Sequence, residues 1–155
     1  MSTFPANYTT NEIAALPTSY FPALSTDQVA AITSYQMQAL TTEQLRSLTT
    51  DQWIVFGTDQ ILGLTSSQIS GLATDDLQAL SSSQLALGIA SDITGLTSAQ
   101  VVALSSAQVS ALTTQQAGLL STLQLSGIEA TDAPSLSTQF LSTLSSSQKI
   151  GRAHV

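Results

Sequence analysis

Apolar and polar positions along the chain alternate with a period of eight residues. Aligned from Tyr8, the chain reads YTTNEIAA, LPTSYFPA, LSTDQVAA, ITSYQMQA, LTTEQLRS, LTTDQWIV, FGTDQILG, LTSSQISG and LATDDLQA, and continues as LSSSQLAL, GIASDITG, LTSAQVVA, LSSAQVSA, LTTQQAGL, LSTLQLSG, IEATDAPS, LSTQFLST and LSSSQKIG. No insertion breaks the register. The consensus is L-[ST]-[ST]-x-Q-[VIL]-x-[AGS], with position 1 apolar in every octad except the one opening at Gly88. Fixed self-similarity of this kind marks a solenoid or array, in which each unit buries its apolar face only by stacking on others.

Each octad reads as a helix start. Ser or Thr at position 2 and Gln at position 5 form a capping box, in which the hydroxyl accepts from the N3 amide and the Gln side chain accepts from the cap amide. Positions 1 and 6 then become the two partners of a hydrophobic staple, as in Leu24 with Val29, Leu40 with Leu45 and Leu96 with Val101. Asp27, Glu43, Asp51, Asp59 and Asp75 at position 4 fall in the first turn, where the helix dipole favours negative charge. The cap falls at position 2 or position 3, because position 3 bears a hydroxyl where position 2 is Pro17, Gly57 or Ala73.

One continuous helix is excluded, since eight residues overshoot two turns by about 80° and would spiral the apolar positions around the axis. The pattern instead predicts an all-α solenoid of helices of one to two turns, one per octad, with positions 1, 6 and a small position 8 facing a common core. Its core is expected to include Leu24, Val29, Leu40, Leu45, Leu48, Trp53, Phe56, Leu64, Ile69, Leu96, Val101, Leu104 and Val109. The alternative is a β-solenoid, which the Thr, Val and Ile content favours and the absence of turn residues at a fixed octad position disfavours. Pro22 and Pro134 stand at position 7, inside proposed helices, so the octads 16–23 and 128–135 should be irregular, the first as part of an N-terminal cap. The organisation is an N-terminal segment 1–7, an octad array 8–148 of about eighteen units, and a tail 149–155.

The tail stands apart. Ile150-Gly151-Arg152-Ala153-His154-Val155 resembles the translation of a common short-read sequencing adapter, and Lys149 fits the same reading while placing the first charge at an apolar octad position. On that reading the tail is non-native, the array continues beyond residue 148 as part of a larger protein, and Arg46 is the sole basic side chain left.

Composition narrows the function classes. Charged residues make up only 8% of the chain, so hydroxyls and amides carry its solubility. With a net charge of −7 and three Lys plus Arg, no basic patch exists to displace counterions from a phosphate backbone, and nucleic acid is not an expected partner. There is no Cys, hence no disulfide or thiolate chemistry. Outside the tail there is no His or Lys to act as a base, and Asp75-Asp76, the best carboxylate pair, simply fills positions 4 and 5. An enzyme is not expected, nor any cofactor or metal. The N-terminus lacks a basic and apolar leader, and the longest apolar runs, such as Trp53-Ile54-Val55-Phe56, fall far short of the ~20 residues of a membrane span. Tyr35 at position 4 and Arg46 at position 7 are the candidate surface contacts.

The octads, LTTEQLRS, LTSAQVVA and LSSAQVSA among them, resemble the repeat arrays of large adhesin-like surface or secreted proteins of proteobacteria, over residues 8–148. That resemblance implies a non-catalytic structural or adhesive segment, at the cell surface or outside the cell by a route without an N-terminal signal peptide. A cytoplasmic module binding a protein or glycan through positions 4 and 7 is the alternative, and an ice-binding array of hydroxyls a minor one. Leu96–Ala103 is also similar to the first helix of the DNA-reading repeats of transcription-activator-like effectors. Units there are several times longer and carry a base-reading loop absent here, which with the acidic balance excludes DNA reading.

Overall fold

The computed structural model of the chain describes residues 5–89, 92–126 and 128, and among these it is helical with no strand. The helices are α1 (Thr10–Ala14), α2 (Thr26–Ala30), α3 (Ser34–Met37), α4 (Thr42–Arg46), α5 (Thr50–Ile54), α6 (Thr58–Leu62), α7 (Ser66–Gly71), α8 (Thr74–Ala79), α9 (Ser82–Gly88), α10 (Ser98–Ala103), α11 (Ser106–Ala111), α12 (Thr114–Leu119) and α13 (Thr122–Ser126). Two octads form 3₁₀ segments instead, Thr18–Ala23 and Ile93–Gly95. The solenoid of short capped helices is therefore the observed architecture, and the β-solenoid is not. Pro134, the octad 128–135 beyond Ile128, and the tail lie outside the described residues.

Outside the octad 88–95, where Asp92 precedes the 3₁₀ segment, the N-caps described fall at position 2. Thr9, Ser25, Thr33, Thr41, Thr49, Thr65, Ser81, Thr97, Ser105 and Thr113 each accept from the N3 amide, and the N3 side chain returns to the cap amide. Gly57 and Ala73 hold the same place without a side-chain cap, so position 3 does not take over where position 2 lacks a hydroxyl. In the octad 16–23, Pro17 is the N-cap and Pro22 sits inside, and the segment tightens to 3₁₀ with Phe21 buried. The octad 88–95 is also irregular: α9 runs on through Gly88, and the buried apolar residue becomes Ile89.

Helices this short are not stable alone, because nucleation costs more than one or two turns return. Packing supplies the difference. Most helices leave at position 1 or 8 and restart after an extended N-cap, for example Leu104 (φ −63°, ψ 137°) followed by Ser105 (φ −69°, ψ 156°). The same dihedral set recurring every octad must generate a superhelix. Within it each element packs on the element three octads away: α3 on α6, α6 on α9, α9 on α11, α5 on α8, α8 on α10 and α10 on α13.

Positions 1 and 6 form one continuous core. Leu24, Val29, Leu40, Leu45, Leu48, Trp53, Phe56, Leu64, Ile69, Leu96, Val101, Leu104 and Val109 are all buried in it, with Ile13, Met37, Ile61, Leu77, Leu85 and Leu112 between them. Each such side chain contributes about 1.5–3 kcal/mol on burial. Position 8 forms the margin of the core: Gly63 is buried and Val55 and Ala79 pack against it, whereas Ala15, Ala31, Leu87 and Leu119 are exposed. Glycines at this position mark close approaches between turns. A Cβ added to Gly63 would lie 2.3 Å from the Ser34 carbonyl oxygen, and one added to Gly95 would lie 3.0 Å from Ser66 Cα and O. In both pairs the approach comes 29 residues earlier in the chain.

Candidate functional site

The most regular feature beyond the core is a ladder of buried glutamines at position 5. Gln52 shows the pattern. Its Oε1 accepts from the Thr49 amide at 2.9 Å, closing the cap, while its Nε2 donates to the Phe21 and Leu24 carbonyls of the preceding turn at 2.9 and 2.8 Å. Gln44 reaches Ile13 and Leu16 at 3.0 and 2.8 Å, Gln100 reaches Ile69 and Leu72 at 2.8 and 2.9 Å, and Gln108 reaches Leu77 and Leu80 at 2.7 and 2.8 Å. Gln36, Gln60, Gln68, Gln84, Gln116 and Gln124 repeat the arrangement. The acceptors lie 28 to 31 residues back, between three and four octads, which sets the superhelical turn. Most are main-chain carbonyls where a helix ends: the position-6 carbonyl also accepts the N–H three residues on, as Phe21 accepts from Leu24, and the glutamine adds a second donor there and reaches the position-1 carbonyl beyond it.

One amide thus satisfies two helix ends at once, because it carries both an acceptor and a donor, whereas an ionised carboxylate only accepts. The capping half of this role is written in the Ser/Thr and Gln spacing, but the clamping half was not anticipated from it. Its signal is the choice of Gln over Glu. A carboxylate caps equally well, and Glu12 does so on the exposed α1, accepting from the Thr9 amide at 2.8 Å. That amide bond and then the Thr9 hydroxyl lower the Glu12 pKa.

Among the described residues, two octads carry Asp at position 5. Asp92 accepts from the Ser66 hydroxyl at 2.7 Å, so a side chain of the preceding turn supplies the donor. Asp76 on α8 is 7% exposed and accepts from the Ala73 amide at 3.2 Å. The ladder's register places it opposite the Leu45 and Leu48 carbonyls, where it has no donor to offer once ionised. Burial pushes its pKa up to about 6; the Ala73 N–H pulls it down, Asp75 adds to the rise and Arg46 opposes it.

The two candidate surface residues stand on different helices. Tyr35 is 70% exposed on α3 and, with Thr10, Gln38 and Ala39, lines an open surface cleft of about 200 Å³. Arg46 is exposed in the last turn of α4, where a cation complements the helix dipole, and does not line that cleft. Trp53 packs edge-on against Phe56, with ring centroids 5.3 Å apart. It is fully buried, and its Nε1 is the one buried side-chain polar atom without a hydrogen-bond partner among the described residues. No group of three or more His, Cys, Asp or Glu side chains placed to hold a metal occurs among the described residues, and no helix there is long and apolar enough to cross a membrane.

A family model described as the ALTTAQ repeat matches residues 9–42, 31–66 and 90–122, together more than half of the chain. Its letters follow octad positions 8, 1, 2, 3, 4 and 5, as in Ala39-Leu40-Thr41-Thr42-Glu43-Gln44 and Ala103-Leu104-Ser105-Ser106-Ala107-Gln108. The stretch 67–89, which contains Ala73 and Asp76, is not covered by the match. No curated protein and no solved structure matches the chain.

Proposed function

The chain belongs to the ALTTAQ repeat family, and from that premise we propose that it is a non-catalytic structural array, a spacer segment of a larger secreted or surface protein with an adhesive role. The observation that carries this reading is the continuous core with its recurring clamps. Among the described residues, most octads from Gln36 onward tie to the octads three or four before them through the position-5 glutamine, and positions 1 and 6 join one core. An array built this way transmits force and holds distance along its axis, as a stalk must. Placement outside the cell rests on the resemblance of the octads to exported repeat proteins.

Small-angle scattering tests it. The chain should scatter as an elongated monomer whose longest dimension grows in proportion when whole octads are added. A compact particle, or a dimension that fails to grow, overturns the reading.

A second reading, a module that binds a protein or a glycan, is favoured by the cleft beside Tyr35. An exposed aromatic face flanked by the Gln38 amide and the Thr10 hydroxyl is the composition that sugar rings stack on and hydrogen-bond to. A Tyr35→Ala, Arg46→Ala double variant should then lose signal on a glycan array or in a pull-down that the wild type gives. Equal retention by both proteins removes this reading.

A further inference from the structure

The glutamine ladder makes its exception informative. At most turns of the described array, an amide donor from position 5 meets carbonyls of the preceding turn, as Gln100 on α10 and Gln108 on α11 do. Asp76 is buried too, at 7% against 3% and 2% exposed, is shorter by one methylene, and accepts from the Ala73 amide as the glutamines accept from their cap amides. The 28- and 31-residue offsets of the ladder assign the Leu45 and Leu48 carbonyls to this position, so a carboxylate here brings an acceptor where the other turns bring a donor. We propose that Asp76 makes the joint between α8 and the preceding turn a proton-operated clasp. With the carboxyl protonated, its O–H donates to the Leu45 or Leu48 carbonyl, directly or through one water. Ionisation removes the donor, sets a buried charge against carbonyl oxygens and loosens the joint.

The surrounding charges fit this assignment. Arg46, next to Leu45, is the sole cation acting on the site and is itself exposed; Asp75 adjoins it on α8. Of the helices packed on α8, α5 brings Asp51, which is exposed, and α10 brings no charged residue. Asp92 differs because the Ser66 hydroxyl already supplies it with a donor.

The sign follows from the direction of the shift. A carboxyl whose pKa is higher in the folded chain than in the unfolded one stabilises the fold fully below the unfolded value and loses that contribution as pH rises through the folded value. With 3.8 as the ordinary value and about 6 in the fold, the folding equilibrium constant should fall about tenfold between pH 5 and pH 8 from this group alone.

Urea unfolding of the wild type, Asp76→Gln and Asp76→Asn at pH 5, 6.5 and 8 tests it, the difference between proteins cancelling every other titrating group. Asp76→Gln should abolish the tenfold loss and exceed the wild type at pH 8. In the wild type, the protection of α8 amides relative to intrinsic exchange should fall over the same pH range, and in Asp76→Gln it should not. An identical pH dependence in wild type and Asp76→Gln overturns the proposal. If the variants do not fold, the ¹³C carboxyl titration of Asp76 in the wild type decides: a midpoint near 6 supports the clasp, and one near 3.8 overturns it.

Discussion

Replacing Gln108 by glutamate separates the two jobs of a position-5 side chain. The cap survives, because a Glu oxygen accepts from the Ser105 amide as the Gln108 Oε1 does at 2.9 Å. The clamp does not, because the bonds to the Leu77 and Leu80 carbonyls at 2.7 and 2.8 Å need a donor. Each lost bond costs about 1 kcal/mol net. A carboxylate 2% exposed and facing two carbonyl oxygens adds a desolvation penalty of similar size, for a total of about 2–4 kcal/mol. Gln28 supplies the control. It caps Ser25 at 2.9 Å and makes no bond to an earlier turn among the described residues, so Gln28→Glu should stay within about 0.5 kcal/mol of the wild type. Urea unfolding followed by far-UV circular dichroism at pH 7.5 measures both. Equal stabilities of the two variants would refute the argument, since they would show that the inter-turn bond contributes nothing beyond the cap.

Two further substitutions probe the backbone between turns and the caps. Gly63→Ala should destabilise the array by about 1–3 kcal/mol, because its Cβ would meet the Ser34 backbone, whereas Gly118→Ala, with nothing within 4 Å inside α12, should stabilise it by about 0.5–1 kcal/mol; thermal unfolding that ranks them the other way contradicts the close-approach reading. Ala73→Ser restores a hydroxyl to an N-cap that has none and should add about 1 kcal/mol in the same assay, and no gain would mean that the cap at α8 is already satisfied.

Much of this fold could be read from spacing alone. Position 2 with position 5 announces a helix start, and positions 1 and 6 announce its buried face, because both are local relations within one octad. What spans turns could not be read so directly. Every octad carries nearly the same letters, so nothing in the period states whether a unit meets the one three or four places back. The glycines at position 8 record that contact only in retrospect: Gly63 and Gly95 each leave room for a chain segment 29 residues earlier. The restriction of Glu to Glu12 at position 5, against Gln in most other octads, was the available sign that the side chain must also donate. The cleft at Tyr35 draws on α1 and α3, whose adjacency is likewise a property of the turn.

Because the Gln bonds and the core contacts are defined by offset along the chain and not by partner identity, whole octads are interchangeable parts. Gain or loss of one octad hands each downstream glutamine an equivalent carbonyl on a different unit, and the register closes again at once. A change of length by any other number of residues turns a glutamine outward and an exposed side chain into the core. Slippage or recombination in multiples of twenty-four bases can therefore lengthen or shorten such an array freely, making its number of turns an inherited variable that selection can set without redesigning its contacts.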